Sequence, residues 1–262
     1  MNRIGSFFQA SNIGSVQRQR RLSALVALAA LPLMFAVSCS GKVDATIRDD
    51  ETARIGLRLN VPDLLAARIR QFTNIPANGS LFDPGAVRKQ FSGRDTMFLV
   101  DASSSEANSM TAVLWIPNLK KFAEDKSLVP AGMLEYRKIP AAGSAPAMRE
   151  LGVTLSRENA SAMFGLFPGV DRRIIDSLSP PAFEKDPVSS ADYRMNLETV
   201  IIGKKAMPAF DLCAVEIVLS APKTILESSG GTASGQVFKA KLPLFDLLTL
   251  EKPIHFSVRW AD

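Results

Sequence analysis

Nine consecutive residues near the start of the chain, 53–61, alternate strictly between apolar side chains and polar side chains or glycine. A period of two is typical of a strand with one face on a core and the other in water. Residues 43–47 repeat the pattern, and the polar stretch Asp49-Asp50-Glu51-Thr52 separates the two runs. We therefore predict an antiparallel hairpin with one buried face.

The C-terminal end of the chain carries the same signal. Ile254, Phe256, Val258 and Trp260 alternate with more polar residues, and further strands are predicted at 97–100, 111–116, 151–155, 214–219, 224–227 and 236–242. Helices are predicted at 63–72, 84–91, 117–122, 157–167, 170–178, 191–202 and 243–248, where apolar residues recur at helical spacing or prolines and serines mark helix starts. Strand pairs at both ends with helices between them indicate an α+β fold: an antiparallel sheet formed by hairpins from both ends, with helices packed on it.

The domain organisation follows from one loop and one segment. The loop at 140–147 is rich in proline, alanine and glycine, and we interpret it as a surface excursion within a domain. Residues 39–262 are thus predicted to form a single α+β domain, and the stretch near 81–203 is a candidate insertion into it. Residues 1–38 have a different character.

The first 38 residues have the three parts of a secretory signal peptide. Arg20 and Arg21 precede an apolar run, 22–35, that is shorter than the roughly 20 residues of a membrane-spanning helix. Ala36-Val37-Ser38-Cys39 then resembles the lipobox of bacterial lipoproteins, in which the signal is removed and the cysteine is acylated, for example with palmitate. We predict lipidation at Cys39. A signal-anchor or an ordinary cleaved signal is the alternative.

Removal of the signal peptide changes what charge and cysteine content imply. The signal carries four of the arginines and no acidic residue, so the formal charge falls from +5 to +1 in the remaining 224 residues. The basic balance therefore gives no reason to predict nucleic-acid binding. If Cys39 is acylated, Cys213 has no disulfide partner, and we predict a buried, inert thiol at the start of a strand.

The tether between Cys39 and the first predicted strand is short. Ser40, Gly41 and Lys42 extend over roughly 10 Å. We therefore expect the domain to lie at a membrane of the bacterial cell envelope, on its periplasmic or surface face.

Residues able to support catalysis are sparse. His255 is the single histidine and falls on the polar face of its strand, and Ser220 and Lys223 have the Ser-x-x-Lys spacing without its companion motifs. The glycine-rich run 229–231 is interpreted as a loop, since no helix or lysine follows it. Adjacent acids at 49–51 are interpreted as a solvated turn. We predict no catalytic residue, no metal site, no cofactor and no enzymatic activity.

Two further features have alternative interpretations. The helix predicted at 157–167 ends on Met163, Phe164, Leu166 and Phe167, which are typical of core but also of a surface that lines a ligand or touches a membrane. Lys120-Lys121 is interpreted as a wet helix face, with a lipid-headgroup contact as the alternative.

The lipidated cysteine, the N-terminal hairpin at 43–56 and the C-terminal segments 215–223 and 229–237 together resemble the LppM-like family of bacterial lipoproteins. The likeness lies at the two ends of the chain, and its motifs are structural. It implies an α+β domain at the cell envelope with a lipid-binding role, and it assigns no functional residue.

These observations give a leading hypothesis and an alternative. The first is a membrane-anchored, non-catalytic envelope lipoprotein that binds a lipid or another apolar ligand. The second is a structural lipoprotein that binds other envelope proteins.

Overall fold

Two β-sheets and the helices around them form the fold in the computed structural model, which describes residues 40–143, 146–162 and 170–262. These residues belong to one unit, Ser38–Asp262. The strands are β1 (Ser40–Ile47), β2 (Ala53–Asn60), β3 (Phe98–Ser103), β4 (Ser109–Ile116), β5 (Leu134–Ile139), β6 (Met148–Leu155), β7 (Ala214–Ser220), β8 (Ile225–Ser229), β9 (Thr232–Ser234), β10 (Val237–Pro243) and β11 (Ile254–Ala261). The helices are α1 (Asp63–Thr73), α2 (Pro84–Gln90), α3 (Leu119–Glu124), α4 (Arg172–Leu178), α5 (Ser190–Asn196), α6 (Met207–Asp211) and α7 (Leu244–Thr249).

The α+β fold class is confirmed, and the N-terminal hairpin forms as predicted. Strands β1 and β2 pair antiparallel from Ser40 opposite Asn60 to Ile47 opposite Ala53. The first strand begins at Ser40, three residues earlier than its pattern indicated. Strand β1 also pairs with β7, in a sheet of order β3-β4-β2-β1-β7-β10-β9. This pairing is parallel, so the sheet is not antiparallel throughout as predicted.

The structure contains two sheets where the sequence indicated one. The C-terminal strand β11 pairs with β6 and β8 in a second sheet of order β5-β6-β11-β8. The reason is that the segment predicted as a simple turn, 228–235, crosses from the second sheet to the first. Strand β8 ends in the second sheet, and the short strand β9, which the sequence did not predict, begins beside β10 in the first.

Two glycines allow this crossing. A Cβ atom on Gly230 would overlap the carbonyl oxygen of His255 and lie 2.8 Å from the Cβ of Phe256, and Gly230 has a φ of 72°. A Cβ on Gly231 would overlap the carbonyl oxygen of Lys239 and the ring of Phe238. The backbone therefore passes so close to both sheets that no side chain fits.

The predicted helix boundaries hold where the capping chemistry is strong. Ser189 accepts a hydrogen bond from the amide of Asp192 at the start of α5, and Gly203 ends the following turn with a left-handed φ of 79°. Between them, residues Leu197–Ile201 form a π-helical turn, so the predicted helix at 191–202 is not uniform. The helix predicted at 157–167 begins with a 3₁₀ turn at Arg157–Asn159, and its apolar end lies outside the described residues.

Strand β5 and helix α6 were not predicted. The 140–147 loop joins β5 to β6 within one sheet, as an excursion would. Among the described residues, no helix has the length and apolar character needed to span a membrane.

Candidate functional site

An apolar cavity of about 230 Å³ lies between the two sheets. All sixteen residues that line it are apolar. Strands β1, β2, β4, β7 and β10 supply one wall and β5, β6 and β11 the other, and residues near α3 and α7 complete the lining. Among the lining residues are Val43, Ile55, Leu57 and Ile217 on the first sheet and Val153 and Phe256 on the second.

The cavity is a direct result of the alternating sequence pattern. Side chains at every second position of a strand point to the same face, so Ile55 and Leu57 reach the space between the sheets, whereas Arg54 and Arg58 are exposed. On the facing sheet Val153 lies opposite Phe256 in the register. Close packing normally leaves few voids larger than a water molecule, so an unfilled space of this size is a candidate ligand site.

A second apolar cavity, of about 160 Å³, lies at the Ser40 end of the first sheet. Helices α1 and α4 supply Leu65, Ile69 and Ile174, and the loop before β7 supplies Cys213. The remaining lining residues come mainly from the ends of β1, β2 and β7 and from helices α6 and α7.

Two side chains separate the cavities. Val215 and Leu247 line both of them. Val215 lies on β7 opposite Gly41 of β1, and a Cβ atom on that glycine would approach Val215 Cγ2 to 3.1 Å. The missing side chain at Gly41 thus gives Val215 its place in the wall.

The outer face of the second sheet has the opposite chemistry. Glu150 is buried and accepts hydrogen bonds from Arg137 Nε at 2.6 Å and Arg259 Nε at 3.0 Å, and Arg259 also contacts Glu227 at 2.5 Å. Burial raises the pKa of Glu150, but the hydrogen bonds from the two guanidinium groups outweigh it, so this pKa lies below its ordinary value. These charges satisfy one another and are structural.

A second ionic cluster joins the first hairpin to the second sheet. Glu51, in the β1–β2 turn, lies 3.3 Å from both Arg149 and Lys138. Arg149 also pairs with Asp262 and donates to the hydroxyl of Tyr136 at 3.1 Å. The acidic turn that the sequence indicated as solvated is thus partly an ion-pair site, and no group of His, Cys, Asp and Glu side chains within the described ranges is arranged to hold a metal ion.

The sequence-predicted residues are dispersed. Cys39, the predicted lipidation site, lies outside the described residues, as does the signal peptide. Cys213 is buried as predicted, and its thiol donates to the carbonyl of Ala209 at 3.4 Å. His255 is exposed on the outer face of the second sheet, 2.9 Å from the hydroxyl of Thr154. Lys223 donates to the backbone carbonyl of Asp262 at 2.7 Å.

Sequence reasoning missed both cavities. Their lining residues are mostly Leu, Ile, Val, Met and Phe in regular patterns, which predict core in general. No signal in the sequence distinguishes a filled interior from an unfilled one, because that depends on how far apart the two sheets are held.

Comparison with known proteins adds little to this geometry. No protein-family model and no curated protein matches the sequence. Among solved structures, the chain is similar to the folded domain of LppM from Mycobacterium tuberculosis, determined by NMR, with 10% sequence identity and a TM-score of 0.36. The similarity covers 86% of this chain and 91% of that domain.

Proposed function

We propose that this protein is a non-catalytic lipoprotein of a bacterial cell envelope that holds an acyl chain of a lipid between its two sheets. The observation that carries the proposal is the cavity of about 230 Å³ whose lining is entirely apolar. Acylation of Cys39 is part of the proposal and provides the membrane anchor.

The size and chemistry of the cavity favour an acyl chain. An apolar cavity of about 150 Å³ stays dry and takes up benzene, so a larger cavity of the same chemistry accommodates several methylene groups. Each buried methylene contributes about 0.8 kcal/mol to binding. A ligand bound here is recognised by its apolar part.

The test uses the full-length chain produced and processed in a bacterial host and purified in a mild detergent. Native mass spectrometry is expected to show co-purified acyl lipid, and the intact mass is expected to show removal of residues 1–38 and acylation of Cys39. Val153→Phe fills the cavity and is expected to reduce bound lipid at least fivefold with an intact thermal transition. Val100→Phe, at an exposed edge-strand position, is the matched control and is expected to retain lipid.

Either of two results would contradict the proposal. One is a wild-type preparation without bound lipid that also takes up none from vesicles. The other is equal lipid content in Val153→Phe, Val100→Phe and the wild type.

A second candidate function is a structural lipoprotein that binds other envelope proteins. Val188 and Val200 are 44% and 67% exposed and line one surface groove near α5, and Met195 in α5 is 59% exposed. Apolar side chains grouped on a surface are typical of protein interfaces. A lipid-free protein that cross-links to an envelope protein through position 200 would favour this function over the first.

A further inference from the structure

We propose that the Ser40 end of the molecule faces the anchoring bilayer, and that the second cavity opens there and draws one acyl chain directly from that bilayer. This inference rests on the proposed function, because it assumes both acylation of Cys39 and acyl-chain binding. It adds where the ligand enters, where it comes from and how many chains it brings.

The mouth of the second cavity is defined by exposure. Of the twenty described residues that line this cavity, Ser40 and Asn60 are the two that are exposed. They are paired with each other across the end of the β1–β2 hairpin. The side chains of this pair point to the opposite face of the sheet, so its backbone forms the exposed rim of the cavity, and we infer that the mouth lies there.

The mouth lies next to the proposed lipid anchor, because Cys39 and Ser40 are adjacent in the chain. Ser40 is bonded to Cys39, and consecutive Cα atoms are about 3.8 Å apart. A lipid on Cys39 that inserts in a bilayer therefore holds the Ser40–Asn60 rim at the bilayer surface, with no linker to lift it away.

Exposed leucines flank this rim. Leu64 is 43% exposed and lies in the first turn of α1, four residues after Asn60. Leu212 is 63% exposed and lies two residues before Ala214, which pairs with Ser40 in the β1–β7 register. At about 3.3 Å per residue, Leu212 is within about 7 Å of that pairing partner along the backbone. Large exposed apolar side chains beside a lipid anchor are able to insert into the membrane–water interface.

Basic groups accompany the leucines. Arg68 follows Leu64 by one helical turn, and its guanidinium lies against Gly203, where an added Cβ would be 3.1 Å from Arg68 Nη2. The next two residues, Lys204 and Lys205, are exposed. Each basic group near an anionic membrane surface contributes about 1 kcal/mol to attraction. Of the acids nearby, Asp211 is paired with Arg194 at 2.6 Å and offsets little of this charge, whereas Asp63, which precedes Leu64, is exposed, accepts a hydrogen bond from Asn108 and offsets part of it.

The capacity of the cavities favours one chain. A cavity of about 150 Å³ holds benzene, which has six carbons. The second cavity, at about 160 Å³, therefore holds only the end of an acyl chain. If Val215 and Leu247 move aside, the two cavities together take about fifteen carbons, which is close to one common acyl chain. In the proposed arrangement the second cavity is the entrance and the first is the far end of a single-chain site.

The experiment uses the full-length, processed chain reconstituted with vesicles of phosphatidylcholine and phosphatidylglycerol, the latter carrying a photoactivatable diazirine in one acyl chain. Cross-linked peptides are identified by mass spectrometry. Peptides covering 59–69 and 170–178 are expected to be labelled. Leu59→Trp, at a half-buried position whose side chain points into the second cavity, narrows that cavity at its Ser40 end and is expected to reduce labelling in both cavities at least fivefold. Arg58→Trp, which points to the opposite face of the same strand, is expected to leave labelling unchanged.

A second pair of variants tests the membrane-facing surface. The double variant Leu64→Glu, Leu212→Glu is expected to reduce labelling from vesicles at least threefold. Val100→Glu, at a position on the edge strand β3 that is 64% exposed and so comparable with Leu212, is expected to match the wild type. Thermal unfolding of each variant within a few degrees of the wild type shows that the fold is retained.

The outcomes separate the inference from the proposed function. Labelling confined to the first cavity and unaffected by Leu59→Trp would overturn the entrance while leaving lipid binding intact. Labelling of neither cavity would overturn both. Labelling of the second cavity in Cys39→Ala but not in the wild type would mean that the protein's own anchor chain occupies it, which overturns the bilayer as the source.

Discussion

The two faces of the second sheet differ in how completely their side chains are paired or packed. On the outer face, polar groups pair with one another: Glu150 with two arginines, Thr154 with His255 at 2.9 Å and Ser229 with Ser257 at 2.9 Å. On the inner face, apolar side chains border space that the protein itself does not fill. A face whose polar groups are already hydrogen-bonded or ion-paired with one another has few free groups with which to bind a ligand. The inner face, whose contacts are incomplete, is therefore where binding energy is available.

The largest expected effect comes from a substitution at Gly230, where the chain crosses from the second sheet to the first. Gly230→Ala would place a methyl group against the backbone of β11 in a left-handed conformation. We expect the free energy of unfolding to fall by about 3 kcal/mol or more, measured by urea denaturation.

Gly235→Ala is the control for this substitution. Gly235 has a similar φ of 59°, but nothing lies within 4 Å of the position that a Cβ atom would take there, so only the backbone cost of about 1–2 kcal/mol is expected. Equal losses in the two variants would mean that close approach to the sheets is unimportant at Gly230.

A smaller effect is expected from the outer face. Glu150→Gln removes the carboxylate that two arginines share, and we expect a loss of about 1–2 kcal/mol at pH 7. The pKa of Glu150 is lowered in the folded protein from an ordinary value of 4.5, so its stabilisation is fully present above that value and is lost as the pH falls through the folded pKa. The wild type and the variant should therefore converge as the pH falls below that folded pKa.

The comparison for this prediction is an exposed acid. Glu124 lies 4.0 Å from Lys120, and both side chains are more than 60% exposed. Glu124→Gln should therefore cause no measurable change in the free energy of unfolding at any pH. A difference between Glu150→Gln and the wild type that persists unchanged as the pH falls below the folded pKa of Glu150 would contradict the electrostatic explanation.

The smallest effect is expected on the inner face. Val153→Leu adds a methylene group to the first cavity, so we expect the free energy of unfolding to change by less than about 1 kcal/mol. Val258→Leu adds the same group at a fully buried position on the same sheet that lines neither cavity, and overpacking there should cost about 1–3 kcal/mol. If both substitutions cost the same, the space beside Val153 is not available to a ligand.

Local signals in the sequence predicted much of the fold. The alternation at 53–61 predicted β2, and the helix predicted at 191–202 overlaps α5 and the π-helical turn after it, because these signals depend on near neighbours. Strand β5 was missed because its most exposed side chains, Glu135, Arg137 and Lys138, leave only a weak apolar stripe.

The candidate site was beyond the reach of local signals. The parallel pairing of β1 with β7 joins residues more than 170 positions apart, and the crossing at Gly230 assigns β8 and β9 to different sheets. Glu150 precedes an apolar run and is typical of a strand start, although it is buried between two arginines contributed by other strands. The cavities result from these long-range pairings.

The place of β1 in the first sheet has a mechanical consequence. Strand β1 is the fourth of seven, hydrogen-bonded to β2 on one side and to β7 on the other along almost its whole length. A pulling force applied to the chain at Ser40 along the strand acts parallel to both neighbours, so it loads two ladders in shear together and does not unzip one bond at a time. If the proposed lipid on Cys39 holds the chain in a membrane, a force transmitted through it would act on a strand that is held on both sides.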